Sequence, residues 1–437
     1  MIDKMEQKLL GFVTITPEIS QEIKKEVKNI AGFKKKLEEY LAQKITDLMD
    51  AILSGAIVLG ASDIHLEPQE EQARLRVRLD GILQDVIFFD LNLYHSLLSR
   101  IKLLSKVKLN ITDKPQDGRF SIAIEETPIE IRTSTLPAEY GESIVMRILN
   151  PKSLISLEEL GLRKDLYELF EKEIKRVNGM IIVTGPTGSG KTTTLYAFLL
   201  KIQNPEIKVI TIEDPIEYHL KGISQTQVAP EKGYDFGQGL RSIVRQDPDV
   251  ILVGEIRDLE TAKISLQASL TGHLVLSTLH TNDASGTIPR LVDLGADTAS
   301  IAPALNIAIA QRLLRKVCKK CSTLSPVSEK EIEEIKKGLA GLPKNIKIPA
   351  LDKKLKIPKI KGCEFCNFTG YKGRTGVFEA FLIDNEMERF ILTNPPVSAL
   401  RDLAIKKGMV TMYQSGLIDV VLGETTLKEV KRMVEAE

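Results

Sequence analysis

Residues 185–192 read GPTGSGKT, a set of residue types and spacings that suits the binding of a nucleoside triphosphate. An apolar run precedes this loop and a helix-like stretch follows it, which is the strand, loop and helix order of a phosphate-binding loop. Glycines let backbone N–H groups converge on phosphate oxygens, a lysine adds positive charge, and a threonine hydroxyl binds Mg²⁺. An ordinary glycine turn is the alternative, but it explains neither flank. The predicted nucleotide-binding residues are Gly185, Pro186, Thr187, Gly188, Ser189, Gly190, Lys191, Thr192 and Thr193, with Thr192 at the magnesium.

Acidic and histidine side chains follow in three further strand-like runs after the phosphate loop. The run at 209–217 stops at a proline and supplies three carboxylates, a buried-strand pattern at 249–258 leads to Glu255, and His273 and His280 bracket another apolar run. Parallel α/β sheets place their sites at such strand ends, where a carboxylate holds Mg²⁺ through water or orients an attacking water. A solvated strand terminus is the alternative for any single carboxylate. The order of the whole set after a phosphate loop favours function.

All four cysteines fall in two CxxC pairs, Cys318 with Cys321 and Cys363 with Cys366. Thiolates at this spacing share one tetrahedral Zn²⁺, since each pair forms a turn around the metal. A pair of disulfides is the alternative, disfavoured in the cytoplasm. The sequence therefore predicts a structural zinc site with all four cysteines as ligands, in a subdomain at about 316–375.

Composition bounds the class of protein. The 60 Lys and Arg residues nearly balance the 59 Asp and Glu, for a formal net charge of +1 at pH 7, and this near neutrality argues against a nucleic-acid translocase. The most apolar stretch, 47–62, contains Asp50 and is too short for a membrane span, so it predicts a buried helix. The N-terminus has no secretory or lipidation pattern, so we expect a cytoplasmic protein with no nucleic-acid partner.

The elements that must position these residues also have sequence signatures. At 73–81 leucine and valine alternate with arginines at 74, 76 and 78, which predicts a half-buried strand ending in an Asp-Gly turn and a solvated or subunit-facing arginine side. Helical spacing is predicted at 16–60 and 93–109, strands at 119–124, 129–135 and 143–149, a turn at 126–128, and a loop at 340–362. We predict an α/β protein with a helical N-terminal segment at 1–50, a small α/β domain at 51–150 and a phosphate-loop domain at 151–437.

From about residue 52 to its C-terminus the chain resembles a known family, the hexameric secretion ATPases of type II secretion and type IV pilus assembly. Four motifs carry the resemblance: ASDIHLEP at 61–68, TIEDPIE at 211–217, VGEIRD at 253–258 and TGHLVLSTLHTNDA at 271–284. They look like the N-terminal-domain signature, the Asp box, the atypical Walker B motif and the His box of that family. The resemblance implies a RecA-like ATPase domain behind a PAS-like domain, with ATP and Mg²⁺ as ligands.

The resemblance also implies roles for individual residues. Glu255 is the catalytic glutamate and contacts Mg²⁺ through water, and Gly254 stands where an ordinary Walker B motif has aspartate. Arginines of the smaller domain supply positive charge to the γ-phosphate, and Arg132 and Arg147 match those positions, with Arg119 as a weaker match. Strand alternation predicts Arg132 on the face opposite its two neighbours. The expected catalytic set is Lys191, Glu213, Glu255, His280, Arg132 and Arg147.

In function, the resemblance implies a homo-hexameric motor on the inner-membrane platform protein, peripheral at the inner face of the cytoplasmic membrane. The tetracysteine motif occurs in the secretion and pilus-extension branches of the family, which indicates assembly rather than retraction. A retraction or DNA-uptake motor and a nucleotide-binding scaffold with negligible turnover are the alternatives. Family members usually carry a longer N-terminal docking region, so with about fifty residues before the smaller domain we expect that region to be reduced or missing.

Overall fold

The computed structural model describes residues 12–124 and 127–434, and the chain divides into two compact units. The first unit comprises the chain up to Ser153 with the segment Lys361–Lys372, and the second comprises Leu154–Ile360 with the chain from Gly373 onward. The part of the predicted helical segment before residue 12 and residue 126 of the predicted turn lie outside the described residues.

The helices of the first unit pack one apolar face onto a sheet. Its helices are α1 (Pro17–Glu26), α2 (Ile30–Tyr40), α3 (Ile45–Leu59) and, later in the chain, α4 (Leu91–Leu104). The side chain of Asn29 accepts the Gly32 N–H at 2.7 Å and so caps the start of α2. Ten residues of α3 are buried, which confirms the buried helix predicted at 47–62, and Gly60 ends it with a φ of 74°.

Seven strands form the sheet of the first unit, and its face against the helices carries the core. Its strands are β1 (Phe12–Thr14), β2 (Asp63–Pro68), β3 (Ala73–Leu79), β4 (Ile82–Phe89), β5 (Gln116–Ile124), β6 (Thr127–Ala138) and β7 (Gly141–Leu149). Their order is β1–β5–β6–β7–β2–β3–β4, antiparallel throughout except for the β1–β5 pair. Asp80 and Gly81, with φ of 49° and 83°, form the predicted turn after β3. Every second residue of β3 is buried, as its alternating sequence predicts.

The second unit is built on a sheet buried on both faces. Its strands are β8 (Gly179–Thr184), β9 (Val209–Glu213), β10 (Ser224–Gln227), β11 (Val250–Val253), β12 (Leu274–Leu279), β13 (Leu305–Val317) and β16 (Tyr371–Leu382). The order is β10–β9–β11–β12–β8–β13–β16, and the pairs from β10 to β13 are parallel. Met180 and Ile182 pack into one core while Ile181 and Val183 pack into another, so continuous apolar strands fit here. The carboxyl ends of β8, β9, β11 and β12 therefore lie side by side.

Helices flank this sheet, and the last of them ends at Met433. They are α5 (Lys164–Glu173), α6 (Lys191–Ile202), α7 (Phe236–Val244), α8 (Leu259–Leu270), α9 (Thr287–Asp293), α10 (Thr298–Ala304), α11 (Glu329–Gly338), α12 (Asn385–Ile391), α13 (Val397–Lys406), α14 (Met412–Val421) and α15 (Leu427–Met433). A two-stranded antiparallel sheet of β14 (Thr323–Pro326) and β15 (Lys356–Lys359) stands apart. The prediction of a loop at 340–362 was wrong for β15, because pairing with β14 orders a segment that has no strand periodicity of its own. None of the described helices is both long and apolar enough to cross a membrane.

Candidate functional site

The phosphate loop joins the end of β8 to the start of α6, as predicted. Its three glycines, Gly185, Gly188 and Gly190, have φ of 148°, 80° and 91°, and residues other than glycine rarely adopt these values. A Cβ on Gly185 would lie 2.7 Å from the backbone oxygen of Gln311, so the backbone there approaches β13 closely. The loop leads directly into the first turn of α6, where the helix dipole favours an anion.

Lys191 is the first residue of α6 and its side chain folds back over the loop. Its Nζ donates to the carbonyl oxygens of Gly185 at 2.7 Å and Pro186 at 3.2 Å. Burial lowers the pKa of Lys191 to about 8, a net value to which the nearby Glu255 contributes by raising the pKa and Arg312 by lowering it. Burial makes the charged form of Lys191 less favourable, and a bound phosphate would stabilise that charged form.

The residues of the loop fit a bound triphosphate and magnesium. The buried Ser189 Oγ has no hydrogen-bond partner among the described residues, which is costly unless a ligand supplies one. A Cβ on Gly188 would meet nothing within 4 Å, so the outer side of the loop is open. Thr192 and Thr193 are half-buried in the first turn of α6, so the Thr192 hydroxyl is available to a metal ion.

Glu255 lies two residues beyond the end of β11 and is enclosed by charged partners. Its carboxylate forms an ion pair with Arg257 and lies 3.5 Å from Nε2 of His280, which follows β12. Arg257 also reaches Asp214 at 3.5 Å, beyond the end of β9, and the pairing with Glu255 raises the pKa of Arg257. Burial and then the charge of Lys191 lower the pKa of His280, whereas Glu255 raises it. Three strand ends thus contribute to one charged cluster beside the phosphate loop.

The glycine before this glutamate has a packing reason that the sequence did not reveal. A Cβ on Gly254 would lie 3.3 Å from the Glu213 Cα and from the Ile212 carbonyl oxygen, both on β9. The Gly254 N–H also donates to that Ile212 oxygen at 2.8 Å. An aspartate at this position would press against the neighbouring strand.

Glu213 occupies a different environment from Glu255. Its side chain is buried, with the residue 3% exposed, and its carboxylate accepts hydrogen bonds from Thr211 Oγ1 at 2.6 Å, Gln225 Nε2 at 3.2 Å and the hydroxyl of Tyr196. Burial raises the pKa of Glu213 despite these donors. The contacts tie β9 to helix α6, whereas a catalytic role for Glu213 stays a prediction.

Hydroxyl groups of β12 hold the Glu255 segment, and the sequence analysis did not single them out. Thr278 Oγ1 donates to the Gly254 carbonyl at 2.7 Å, Ser277 Oγ donates to the Val253 carbonyl at 2.8 Å, and the Ile256 N–H donates to the Thr278 carbonyl at 3.1 Å. The signal in the sequence was a pair of hydroxyl residues within an otherwise apolar strand that His280 follows. Buried hydroxyls of this kind need partners, and here the partners are the site's own backbone.

The predicted arginines lie in the first unit, in one row across its sheet. The pairing register aligns residues of β3, β2, β7, β6 and β5 side by side, and directly opposed residues share a face. This arginine row is, in order, Arg78, Asp63, Arg147, Arg132 and Arg119. Ile131 and Thr133 on either side of Arg132 are buried, which confirms the predicted alternation.

Acidic neighbours hold the arginine row. Asp63 is 7% exposed and lies 3.0 Å from Nε of Arg147 and 3.3 Å from Nε of Arg78. Glu130 lies 3.4 Å from Arg132 and 3.9 Å from Arg119. Three arginines still stand directly beside one another on β7, β6 and β5. Like charges directly opposite one another on a sheet repel, and a bound anion reduces that repulsion.

The four cysteines of the two CxxC pairs form one cluster. The Sγ atoms of Cys318, Cys321, Cys363 and Cys366 all lie within 4.8 Å of one another. The Cys363 and Cys366 sulfurs are 3.8 Å apart, which matches the edge of about 3.8 Å in a tetrahedron with Zn–S bonds of about 2.3 Å. Backbone N–H groups of Cys363 and Gly370 point at the Cys366 sulfur from 3.2 and 3.3 Å, as they do at a thiolate. The donor set therefore fits zinc.

Comparison with known proteins finds matches over most of the chain. The family model described as type II/IV secretion system protein matches residues 38–432. Type II secretion system ATPase E of Vibrio cholerae is 42% identical over 396 residues, covering 90% of this chain and 75% of that protein. The type IV pilus assembly ATPase TfpB of Acinetobacter baylyi is 40% identical over 397 residues, covering 90% of this chain and 66% of that protein.

A solved structure shares the fold. The crystal structure of the pilus retraction motor PilT with bound ADP superposes with a TM-score of 0.58 at 28% sequence identity, covering 87% of this chain and 95% of that one. This likeness and the parallel-stranded sheet confirm the predicted α/β ATPase fold class. The sequence matches confirm the resemblance that the four motifs predicted.

Proposed function

Because the chain belongs to the type II/IV secretion system protein family, we propose that it is an ATP hydrolase that powers type II secretion or type IV pilus assembly by driving pilin-like subunits out of the inner membrane. The observation that carries the proposal is the convergence of the phosphate loop, Glu255 and His280 at one edge of a parallel sheet. That edge is where α/β proteins bind nucleotides.

In the proposed reaction the phosphate loop binds ATP and Glu255 acts on water. The carboxylate takes a proton as the water oxygen bonds to the γ-phosphorus, and the bond from that phosphorus to the β–γ bridging oxygen breaks, releasing ADP and phosphate. The Thr192 hydroxyl and, through water, the Glu255 carboxylate would hold Mg²⁺, which would neutralise charge on the phosphates. Lys191 contributes charge at the phosphates, and His280 beside Glu255 keeps that carboxylate oriented.

The proposal includes a homo-hexameric ring in which Arg132 and Arg147 stabilise the charge that develops on the γ-phosphoryl group. The three adjacent arginines of the row support it, because their mutual repulsion is relieved by an anion. We propose that the ring works at the inner face of the cytoplasmic membrane on a platform protein, with no nucleic-acid partner.

Assembly is favoured over retraction on two grounds. The assembly and secretion relatives are 40% and 42% identical to the chain, whereas the retraction motor PilT is 28% identical. The four-cysteine cluster also agrees with the secretion and extension branches. We propose that Zn²⁺ binds there as a structural ion, and metal analysis of protein purified without added zinc should give about one zinc per chain. A value near zero with four titratable thiols contradicts the site.

Two substitutions test the nucleotide site. Lys191→Ala removes the phosphate-binding charge and should abolish ATP turnover while the circular dichroism spectrum stays native. Glu255→Gln should keep ATP affinity but lower turnover on the order of a hundredfold or more, because the amide takes no proton. Lys201→Ala is the matched control, since Lys201 lies at the other end of α6 and pairs with Glu158 at 2.6 Å.

Specific outcomes refute these assignments. Native turnover in Lys191→Ala removes the phosphate loop from the reaction. Equal loss of ATP binding in both variants means that Glu255 is not primarily catalytic. Wild-type protein that binds ATP with no measurable turnover as an assembled ring supports the scaffold alternative instead.

A further inference from the structure

A buried glutamine on β13, Gln311, contacts the phosphate loop, and none of the roles described above includes it. Strand β13 pairs in parallel with β8, and Ala310 lies opposite Thr184, the last residue before the loop. Gln311 therefore stands level with the beginning of the loop. It is 1% exposed, so its amide must find partners inside the protein.

Both ends of the Gln311 amide bind residues of the nucleotide site. Its Nε2 donates to the Ser189 carbonyl at 2.6 Å, and its Oε1 accepts from the Thr194 hydroxyl at 2.7 Å. A carbonyl oxygen only accepts, so the nitrogen of the amide must face Ser189 and its orientation is fixed. Gln311 thus joins the end of the phosphate loop to the first turn of α6.

Fixing the Ser189 carbonyl also fixes the next N–H group. In a trans peptide the C=O and the following N–H point in opposite directions. Since the Ser189 oxygen is directed at Gln311 on β13, the Gly190 N–H must point away from β13. A loop peptide free to rotate would instead present its carbonyl oxygen, which repels phosphate.

The next residue of β13 makes a related contact on the other side of the loop. Arg312 donates to the Asn282 carbonyl at 2.8 Å, in the segment that follows His280. Its Nη1 lies 3.2 Å from the position of a Cβ on Gly185. Adjacent strand residues point to opposite faces, so this dipeptide reaches two segments of the site at once.

We propose that Gln311 is a positioning residue for nucleotide binding. It holds the Ser189 carbonyl toward β13, so that the Gly190 N–H faces the phosphates. The inference rests on the proposed nucleotide function and adds a residue to it. Gln311 touches no substrate atom and acts through the backbone of the loop. Its loss weakens binding of ADP as well as ATP, because the affected N–H group belongs to the loop that both nucleotides share.

The test compares ADP affinity in three variants by titration with a fluorescent ADP analogue. Gln311→Met is nearly isosteric and removes both hydrogen bonds, and we expect about tenfold weaker binding. Gln311→Glu keeps an acceptor for Thr194 but sets an oxygen against the Ser189 carbonyl, so its loss should be larger. Thr194→Val removes only the bond to the helix and should change affinity less than about threefold.

A buried glutamine elsewhere provides the structural control. Gln414 lies in α14, donates from Nε2 to the Ala340 carbonyl at 3.1 Å, and accepts the Thr411 N–H at 3.1 Å. Gln414→Met should lower the melting temperature as Gln311→Met does, without weakening ADP binding. Native ADP affinity in Gln311→Met, or an equal loss in Thr194→Val or Gln414→Met, overturns the proposal. Absence of ADP binding in the wild-type protein refutes the nucleotide function itself, a separate result.

Discussion

The two sheets of this protein distribute charged residues in opposite ways. In the second unit, parallel strands end at one edge, and Lys191, Glu255 and His280 meet there from loops after three different strands. In the first unit, antiparallel strands align Arg147 and Arg132 in a row across one face. The parallel sheet therefore concentrates charge of both signs at a point, whereas the antiparallel sheet spreads four arginines and one aspartate along a line.

This difference has consequences for how each group is held. At the parallel edge, burial lowers the pKa values of Lys191 and His280. Groups in the arginine row are held instead by acidic neighbours in register, as Asp63 holds Arg147, whose side chain is 54% exposed. Chemistry at the edge should therefore depend on pH, and the contribution of the arginine row should depend on its acidic partners.

The largest effect is expected from removing an arginine of the row. Arg147→Ala should lower ATP turnover on the order of a hundredfold or more while nucleotide affinity stays within about tenfold, because an arginine at the γ-phosphate acts mainly in the transition state. Steady-state ATPase assays and nucleotide titrations measure the two quantities. Turnover should also rise with protein concentration as the ring assembles.

Mixing variants tells whether the row serves its own nucleotide or a neighbour's. Activity recovered when Arg147→Ala and Lys191→Ala subunits are combined indicates action across a subunit interface. Arg74→Ala is the matched control, because Arg74 lies on the same sheet but pairs with Asp85 outside the row. Full activity of Arg147→Ala alone removes the arginine from the mechanism.

A smaller effect is expected from titrating Lys191. Its pKa of about 8 in the free protein means that raising the pH above 8 neutralises the lysine, whereas bound phosphate keeps it charged. Nucleotide affinity should be level below pH 8 and fall above it, so ADP should bind about tenfold more weakly at pH 9 than at pH 7. A Lys191→Arg variant, charged throughout, should lose this slope. The same slope in that variant would assign the titration to another group.

The smallest effect is expected at the acid that holds the row. Asp63→Asn keeps the side-chain shape but removes the charge facing Arg147 and Arg78. We expect a few-fold loss of turnover at unchanged ADP affinity, since the arginine remains but loses its fixed orientation. Asp85→Asn, at the exposed partner of Arg74, should leave turnover unchanged. A loss as large as that of Arg147→Ala would mean that Asp63 itself acts in the reaction.

The features that depend on local pattern could be read from the sequence alone. The spacing of GPTGSGKT predicted the phosphate loop, alternation predicted the buried side of β3, and continuous apolar runs predicted strands buried on both faces. The paired cysteines predicted their own cluster, because a tetrahedral metal needs four thiolates and the chain contains no others. Such features follow from neighbouring residues along the chain.

The contacts between residues that are distant in the chain depend on the packing of the whole fold. No local pattern tells that Gln311 reaches Ser189 across 122 positions of the chain, or that Asp63 lies opposite Arg147 across 84. The sequence also does not explain why residue 254 is glycine, because the cause is the close approach of the β9 backbone. Strand order and register set these contacts, and they arise from the packing of whole sheets rather than from the propensity of any segment.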